Sequence, residues 1–357
     1  MTDKALSPSP IPLAQGLRAA ARDILADAHK VLDDPLRSEA EAVHDFRKAM
    51  KRWRALLRLL SPYLADGGSL RMDARDIARR LTASRDNQAA LEALADLAKY
   101  TESGLSARTQ QNLRMRLSGA AQQTETLTLT SEMRDRLRAS LLVAADSIER
   151  WPLERLRFRD VADRLTSTYR RARRLLPDDW AGADPEHLHE LRKRVVEHRY
   201  QMELIEPLWP RLIRVWVDEA QRLRERLGRC QDLEVLRRTI VPHGALAPWR
   251  SRLTPLVAAR RSSQTAAAAR IAARLFAEKP KAFRRRIQSL WEQTTEQQTD
   301  RTTGKPVPAD SQPVSGEKKT PIGAKTRSVQ KSRLVQKSRA AKRPAATARI
   351  RRAAPPT

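Results

Sequence analysis

One hexad that occurs twice, 145 positions apart, constrains the fold of this chain more than any other feature. Both copies share the order apolar, His, acidic, apolar, Arg, Lys. They are Val43-His44-Asp45-Phe46-Arg47-Lys48 and Leu188-His189-Glu190-Leu191-Arg192-Lys193. The same offset also pairs Arg54 with Arg199, Leu59 with Leu204 and Pro62 with Pro207. An internal repeat indicates one supersecondary unit built twice, so we expect two related halves at about residues 12–150 and 157–292.

Helical periodicity runs through nearly all of both halves. Glycine is scarce, at 11 of 357 residues, while Leu, Ala and Arg recur at helical spacing. Alternating β-branched runs, which strands require, are few, and most prolines lie where a periodic segment ends. The expected fold is therefore all-α: a pseudo-symmetric helical bundle of two duplicated multi-helix halves, forming one domain at about residues 5–295.

The composition changes over the last sixty or so residues. Residues 296–357 are rich in Lys, Arg, Ala, Thr, Ser and Pro, and large apolar residues become rare. Residues 301–357 hold 15 Lys and Arg against 2 acidic residues. Such a segment buries too little apolar surface to offset its ordering entropy. We expect a disordered basic tail.

The charge of the whole chain points to an anionic partner. Its 70 Lys and Arg exceed its 42 Asp and Glu, for a formal net charge of +28, and an excess of this size opposes a compact state unless an anion screens it. The single Cys230 excludes an intramolecular disulfide, which fits a reducing compartment. The first residues lack the apolar run of a signal peptide, and no segment is apolar enough to span a membrane. A cytoplasmic protein without membrane contact is expected.

Cations line one side of the helix predicted between Val43 and Pro62. At 100° per residue, five of them fall within a stripe about 80° wide, with Lys48 on its border. This basic stripe consists of His44, Arg47, Lys51, Arg54 and Arg58. The opposite, apolar side carries Phe46, Met50, Trp53, Leu57 and Leu60. A solvated charged face is the ordinary alternative, but such faces mix acids with bases, and no Asp or Glu occurs between Phe46 and Tyr63.

The second copy repeats the stripe less completely. His189, Arg192 and Arg199 occupy equivalent positions and form a second basic stripe, with Lys193 beside it. Val196 and Glu197, however, stand where the first copy has Lys51 and Arg52. We expect this half-site to bind more weakly. Arginine suits phosphate because its planar guanidinium donates two parallel hydrogen bonds and stays charged.

These residues resemble the CHAD domain, the conserved histidine alpha-helical domain. The resemblance rests on the stretch from His44 to Arg54, its echo from His189, and the pairs Arg85-Asp86 and Gln231-Asp232, which are expected in turns. It implies a pseudo-symmetric helical bundle whose basic groove binds inorganic polyphosphate, and association with polyphosphate granules. By resemblance, the residues lining the groove are His44, Arg47, Lys48, Lys51, Arg54, His189, Arg192, Lys193 and Arg199.

Binding without catalysis is the function that these features favour. The sequence has no phosphate loop of the Walker type, no Gly-x-Ser-x-Gly and no His-Glu-x-x-His, and we expect neither a metal nor a cofactor. A nonspecific DNA-binding protein that uses the basic tail is the alternative, since pairs such as Lys331/Arg333 are typical of tails that coat DNA. A scaffold on the granule surface is a third. The sequence does not determine the oligomeric state.

Overall fold

A computed structural model describes residues 13–64, 85–100, 104–121 and 129–302, with single positions between 65 and 84. These residues form ten α-helices and two short 3₁₀ turns, and they contain no strand. The helices are α1 Leu13–Asp33, α2 Glu39–Leu60, α3 Arg85–Lys99, α4 Ala107–Ala121, α5 Ser131–Glu149, α6 Phe158–Arg174, α7 Pro185–Leu204, α8 Pro210–Thr239, α9 Arg250–Leu275 and α10 Pro280–Thr302. The all-α prediction is confirmed.

Local capping sets where the two hexad-bearing helices begin. Before α2, Ser38 Oγ accepts a hydrogen bond from the Glu41 backbone N–H at 3.4 Å, and the Ser38 N–H donates to Glu41 Oε2 at 3.1 Å. This reciprocal capping box satisfies two backbone donors that a helix start leaves open. Before α7, Asp184 accepts from the His187 N–H at 3.0 Å, and Pro185 takes the first helical position, where its missing N–H is not needed.

The apolar side of α2 faces the core, as its spacing predicts. Phe46, Met50, Trp53, Leu57 and Leu60 are all buried. Trp53 stacks on Trp151 with ring centroids 5.7 Å apart. Burial of one such side chain stabilises the fold by roughly 1.5–3 kcal/mol. Because this side is held inward by α1, α6 and α7, the basic stripe points away from the core.

A smaller core lies apart from the main one. Apolar side chains of α3, α4, the last turns of α8, and α9 form it, among them Leu94, Leu113, Leu236 and Leu253. Helix α8 contacts α7, α3 and α9. It is therefore the long element that links the hexad-bearing helices to the second core.

The helix order agrees with the repeat, with one correction. α1 and α6 begin 145 positions apart, at Leu13 and Phe158, and the pseudo-symmetry of the halves remains a prediction. Arg85 and Asp86 lie in α3, and Gln231 and Asp232 lie within α8, so the turns expected at both pairs are wrong. At 231–232 the reason is that Leu227, Cys230 and Glu234 lie on one buried face of α8, which favours a continuous helix over a turn.

Helix α10 ends later than the composition suggests. It continues to Thr302, past the boundary expected at residue 295, and the rest of the predicted tail lies outside the described residues. Within the described part of the chain, every helix is too short or too polar to cross a bilayer.

Candidate polyanion site

Helices α2 and α7, which carry the two hexads, lie side by side and antiparallel. The Gln201 side-chain N–H donates to the Ala55 carbonyl at 3.1 Å, and Arg58 forms an ion pair with Glu197. Residue numbers fall along α2 as they rise along α7, so the helices run in opposite directions. At 1.5 Å per residue, His44 and His189 lie roughly 16 Å and 18 Å from the central contact, on opposite sides of it. The two hexads therefore lie in opposite directions from this contact.

The first basic stripe lies at the surface of the protein. His44 is exposed, and Arg47, Lys51, Arg54 and Arg58 are partly exposed. All five belong to a single rigid helix whose other side is anchored in the core. A helix fixes the spacing of such cations, which favours an extended anion over a compact one.

Arg58, at the end of the stripe, is bound by a residue from the second half of the chain. Its side chain, 24% exposed, forms an ion pair with Glu197, which is 8% exposed. Glu197 also accepts from Arg194 at 3.2 Å and from the Thr168 hydroxyl at 3.4 Å. A buried carboxylate needs such partners, because desolvation would otherwise disfavour its charge. In the repeat, Glu197 replaces the base Arg52 of the first copy. In the structure, it joins the two halves through its ion pair with Arg58.

Two further arginines, from α6, lie close to this ion pair. Arg164 donates to the Arg58 carbonyl at 3.3 Å and to the Ser61 hydroxyl at 3.2 Å. Arg171 donates to the Ser167 hydroxyl at 3.3 Å. Burial lowers the pKa of Arg171, and the charges of the neighbouring arginines lower it further, while Glu197 opposes them. We call Arg58, Arg164, Arg171 and Arg194 the arginine cluster.

Sequence reasoning missed Arg164, although a signal for it exists. Arg164 and Arg171 are seven residues apart, so they share one face of α6. The contact of α6 with α2, by contrast, is a tertiary fact that no spacing within α6 shows.

In the second stripe, Gln231 of α8 holds the histidine and one arginine. His189 Nδ1 lies 2.6 Å from Gln231 Oε1, and an Arg192 N–H donates to the same oxygen at 3.3 Å. The Arg192 guanidinium packs over Gly228, where a Cβ would stand 3.4 Å from its Nε. Burial lowers the pKa of His189, while the bond to Gln231 opposes this shift. The Gln231-Asp232 motif therefore contributes a positioning residue.

Lys193 and Arg199 are neutralised by acids on their own helix. Lys193 lies 2.6 Å from Glu190. Arg199 lies 2.5 Å from Glu203, and its guanidinium carbon sits 4.5 Å from the centre of the Tyr200 ring. Local pairs of this kind account for both charges without a ligand.

Lys48 and Arg199 also line a cleft of about 530 Å³ between α1, α2, α7 and the start of α8. Its charged lining consists of Asp23, Asp27, Glu203, Glu206, Asp218, Lys48, Arg52, Arg199 and Arg214. Acids outnumber bases here, so the cleft does not favour a polyanion. The structure therefore separates these two predicted residues from the rest of the stripes.

Replacement of Arg199 by alanine tests this division. Because Arg199 is 14% exposed and bonded to Glu203, its loss removes a charge-assisted hydrogen bond from a partly buried carboxylate. We expect the free energy of unfolding to fall by about 1–3 kcal/mol, measured by urea denaturation, while polyphosphate affinity changes less than twofold. A large loss of affinity with unchanged stability would place Arg199 in the ligand site instead.

The described residues contain no group of three His, Cys, Asp or Glu side chains that could hold a metal ion. His187 and His189, which are two residues apart in the sequence, do not form a metal site together. His187 Nε2 lies 2.9 Å from the Leu175 carbonyl, and the His189 ring contacts Gln231.

Comparison with known proteins agrees with this architecture. The family model described as CHAD domain matches residues 15–241. A chain described as PptA from Streptomyces chartreusis superposes with a TM-score of 0.51 at 17% identity, covering 75% of this chain and 100% of that one. The crystal structure of the CHAD domain from the plant Ricinus communis gives 0.48 at 21% identity, covering 74% and 88%. No curated protein matches. Since the family model covers more than half of the sequence, the chain belongs to the CHAD domain family.

Proposed function

We propose that this protein binds inorganic polyphosphate, without turnover, through the first basic stripe and the Gln231-held pair His189 and Arg192. The observation that carries the proposal is the outward face of α2. It presents His44, Arg47, Lys51 and Arg54 in register, while no acid occurs in the sequence from Phe46 to Leu60. Cations held at fixed spacing on one helix suit an anion that carries a charge on each of its repeating units.

The extended shape of the cationic surface favours a linear polyanion. The first basic stripe runs from His44 to Arg58 over roughly 20 Å of one helix, so a chain of phosphates can contact several of its cations at once. Each neutralised phosphate releases condensed counterions, which makes binding tight at low salt and weak at high salt. The chain belongs to the CHAD domain family, and its resemblance to that family implies polyphosphate binding, which supports the same ligand. Attachment to polyphosphate granules in the cytoplasm follows from this ligand and belongs to the proposal.

DNA binding by the tail is the second candidate. It rests on the 15 Lys and Arg among residues 301–357, which suit nonspecific contact with a duplex backbone. The body gives little support for base stacking, because Trp53 is buried against Trp151, and single-strand readers need accessible rings.

Competition between the two polyanions tests the proposal. The full chain and a chain ending at Thr302 are titrated with long-chain polyphosphate and with duplex DNA of equal charge, at several salt concentrations. We expect both proteins to prefer polyphosphate, with log affinity falling linearly with log salt. Preference of the shortened chain for DNA would favour the second candidate. Release of phosphate from polyphosphate in the presence of magnesium would contradict binding without turnover.

A further inference from the structure

The arginine cluster contains more positive charge than its internal carboxylate needs. Arg58 and Arg194 form ion pairs with Glu197, and Arg171 lies close enough to interact with its charge. Arg164 lies beside Arg58 and donates to its carbonyl. The next acid, Glu190, lies 3.7 Å from Arg194 but is shared with Lys193 at 2.6 Å. One or two bases suffice to hold a buried carboxylate. The remaining arginines add like-charge repulsion, which indicates a place for a further anion.

The repeat shows that this excess is specific to one half. At the offset of 145, the residue equivalent to Arg58 is Glu203, and the residue equivalent to Glu197 is Arg52. Acid and base are therefore exchanged between the two copies. An exchanged pair can hold two helices together equally well. Arg164 and Arg171, by contrast, correspond to Ala19 and Ala26. These two arginines add positive charge at positions where the related helix has alanine.

The cluster is accessible and continuous with the first basic stripe. Arg58 and Arg194 are 24% and 26% exposed, above a carboxylate that is 8% exposed. Arg58 is both the last cation of the stripe and a member of the cluster. A polyphosphate chain lying along α2 from His44 therefore reaches the cluster where α2 ends.

The end of a polyphosphate chain has the charge that suits this place. A terminal phosphate group ionises twice, and by analogy with phosphate monoesters it carries about −1.5 to −2 at pH 7. Each internal group carries one charge. Guanidinium groups bind phosphate oxygens with paired hydrogen bonds, and the several N–H groups of each arginine exceed those that Glu197 and the nearby hydroxyls accept.

We propose that the arginine cluster is a subsite for the terminal phosphate of a polyphosphate chain, and that Glu197 holds the arginines in place when no ligand is bound. This inference rests on the proposed function, because the ligand is the same polyanion. The cluster then selects chains with free ends, whereas the first basic stripe binds internal phosphates.

Two small phosphates separate the end from the middle of a chain. Tripolyphosphate is linear and has two terminal groups, whereas trimetaphosphate is cyclic and has none. Both are titrated by calorimetry against the full-length wild type, Arg171→Gln, and Arg270→Gln as a control that removes one exposed charge from α9. We expect Arg171→Gln to weaken tripolyphosphate binding about tenfold, the loss of one charge-assisted contact. Trimetaphosphate affinity should change no more than in the control.

The folded state of Arg171→Gln is expected to survive. Its guanidinium donates to Ser167 and lies among like charges, so the substitution relieves repulsion, and urea unfolding should show unchanged or greater stability. Glu197→Gln offers the opposite test, because it neutralises the carboxylate that competes with the phosphate for the arginines. Tripolyphosphate should bind this variant more tightly than it binds Glu219→Gln. The control neutralises an acid paired with Arg222 and Arg274. If Glu197→Gln does not fold, Arg171→Gln decides alone.

The outcomes distinguish this inference from the proposed function. Equal losses in Arg171→Gln and Arg270→Gln, with long-chain polyphosphate still bound, would overturn the terminal subsite and leave the proposed function standing. Failure of the wild type to bind long-chain polyphosphate would contradict the proposed function itself.

Discussion

Alanine at Arg47, Lys51 and Arg54 together should weaken binding of long-chain polyphosphate by about a thousandfold or more at low salt. Each replaced cation removes a charge-assisted contact of about 1.5–3 kcal/mol, and 1.4 kcal/mol corresponds to a factor of ten. The salt dependence should fall as well. With three fewer phosphates neutralised, the slope of log affinity against log salt becomes shallower by about two. Titration at four or five salt concentrations measures both effects.

A matched triple variant controls for bulk charge. Arg114, Arg250 and Arg270 are exposed on α4 and α9, and their replacement by alanine removes the same net charge from other surfaces. We expect this control to retain most of the affinity. Circular dichroism should show unchanged helicity in both variants, since alanine favours helix. Equal affinities of the two folded variants would mean that the stripe on α2 is not the binding site.

The second large effect is a loss of stability in acid that depends on His198. This histidine of α7 is completely buried among Tyr169, Trp216, Phe276 and Phe283. The Trp216 indole N–H donates to His198 Nε2 at 3.0 Å, so the ring is neutral with its hydrogen on Nδ1. Burial lowers the pKa of His198 from 6.5 to about 3.

The sign of the pH dependence follows from proton binding. Between pH 6.5 and about 3, the unfolded chain binds a proton at this histidine and the folded chain does not, so stability is complete above pH 6.5 and falls as the pH falls. Each pH unit in this window lowers the free energy of unfolding by about 1.4 kcal/mol, or about 2–3 kcal/mol between pH 6.5 and 4.5.

His198→Gln isolates this contribution. Glutamine offers a carbonyl oxygen to Trp216 and has no proton to gain. Urea unfolding at half-unit steps of pH should show a flatter profile than for the wild type, whereas His187→Gln, at an exposed position, should follow the wild type. Parallel profiles for the wild type and His198→Gln would show that this ring is not the titrating group.

Several features of the fold were accessible from local patterns alone. The apolar face of α2 is buried as its spacing predicts, because a helix with one apolar side gains most when that side is removed from water. Helix starts at Ser38 and Asp184 likewise follow from residues that satisfy open backbone donors. The hexad repeat predicts equivalent helices, and α2 and α7 carry them.

The charged residues show where local patterns end. Glu197 looks in the sequence like a missing base, but in the structure it pairs with Arg58 of the other half. Arg199 looks like a ligand residue, and the structure pairs it with Glu203 beside an acid-rich cleft. His189 and His198 lie on the same helix, yet His198 is sealed in an aromatic core and His189 rests on Gln231.

The amino-acid sequence by itself determined the helical class of this protein, its repeat and the cationic face of α2, because these depend on periodicity within single segments. The tertiary structure alone decided which cations are already neutralised and which helices meet around Glu197. The physical reason is that the strength of an ion pair depends on distance and on burial, and both are set by contacts between residues that lie far apart in the chain.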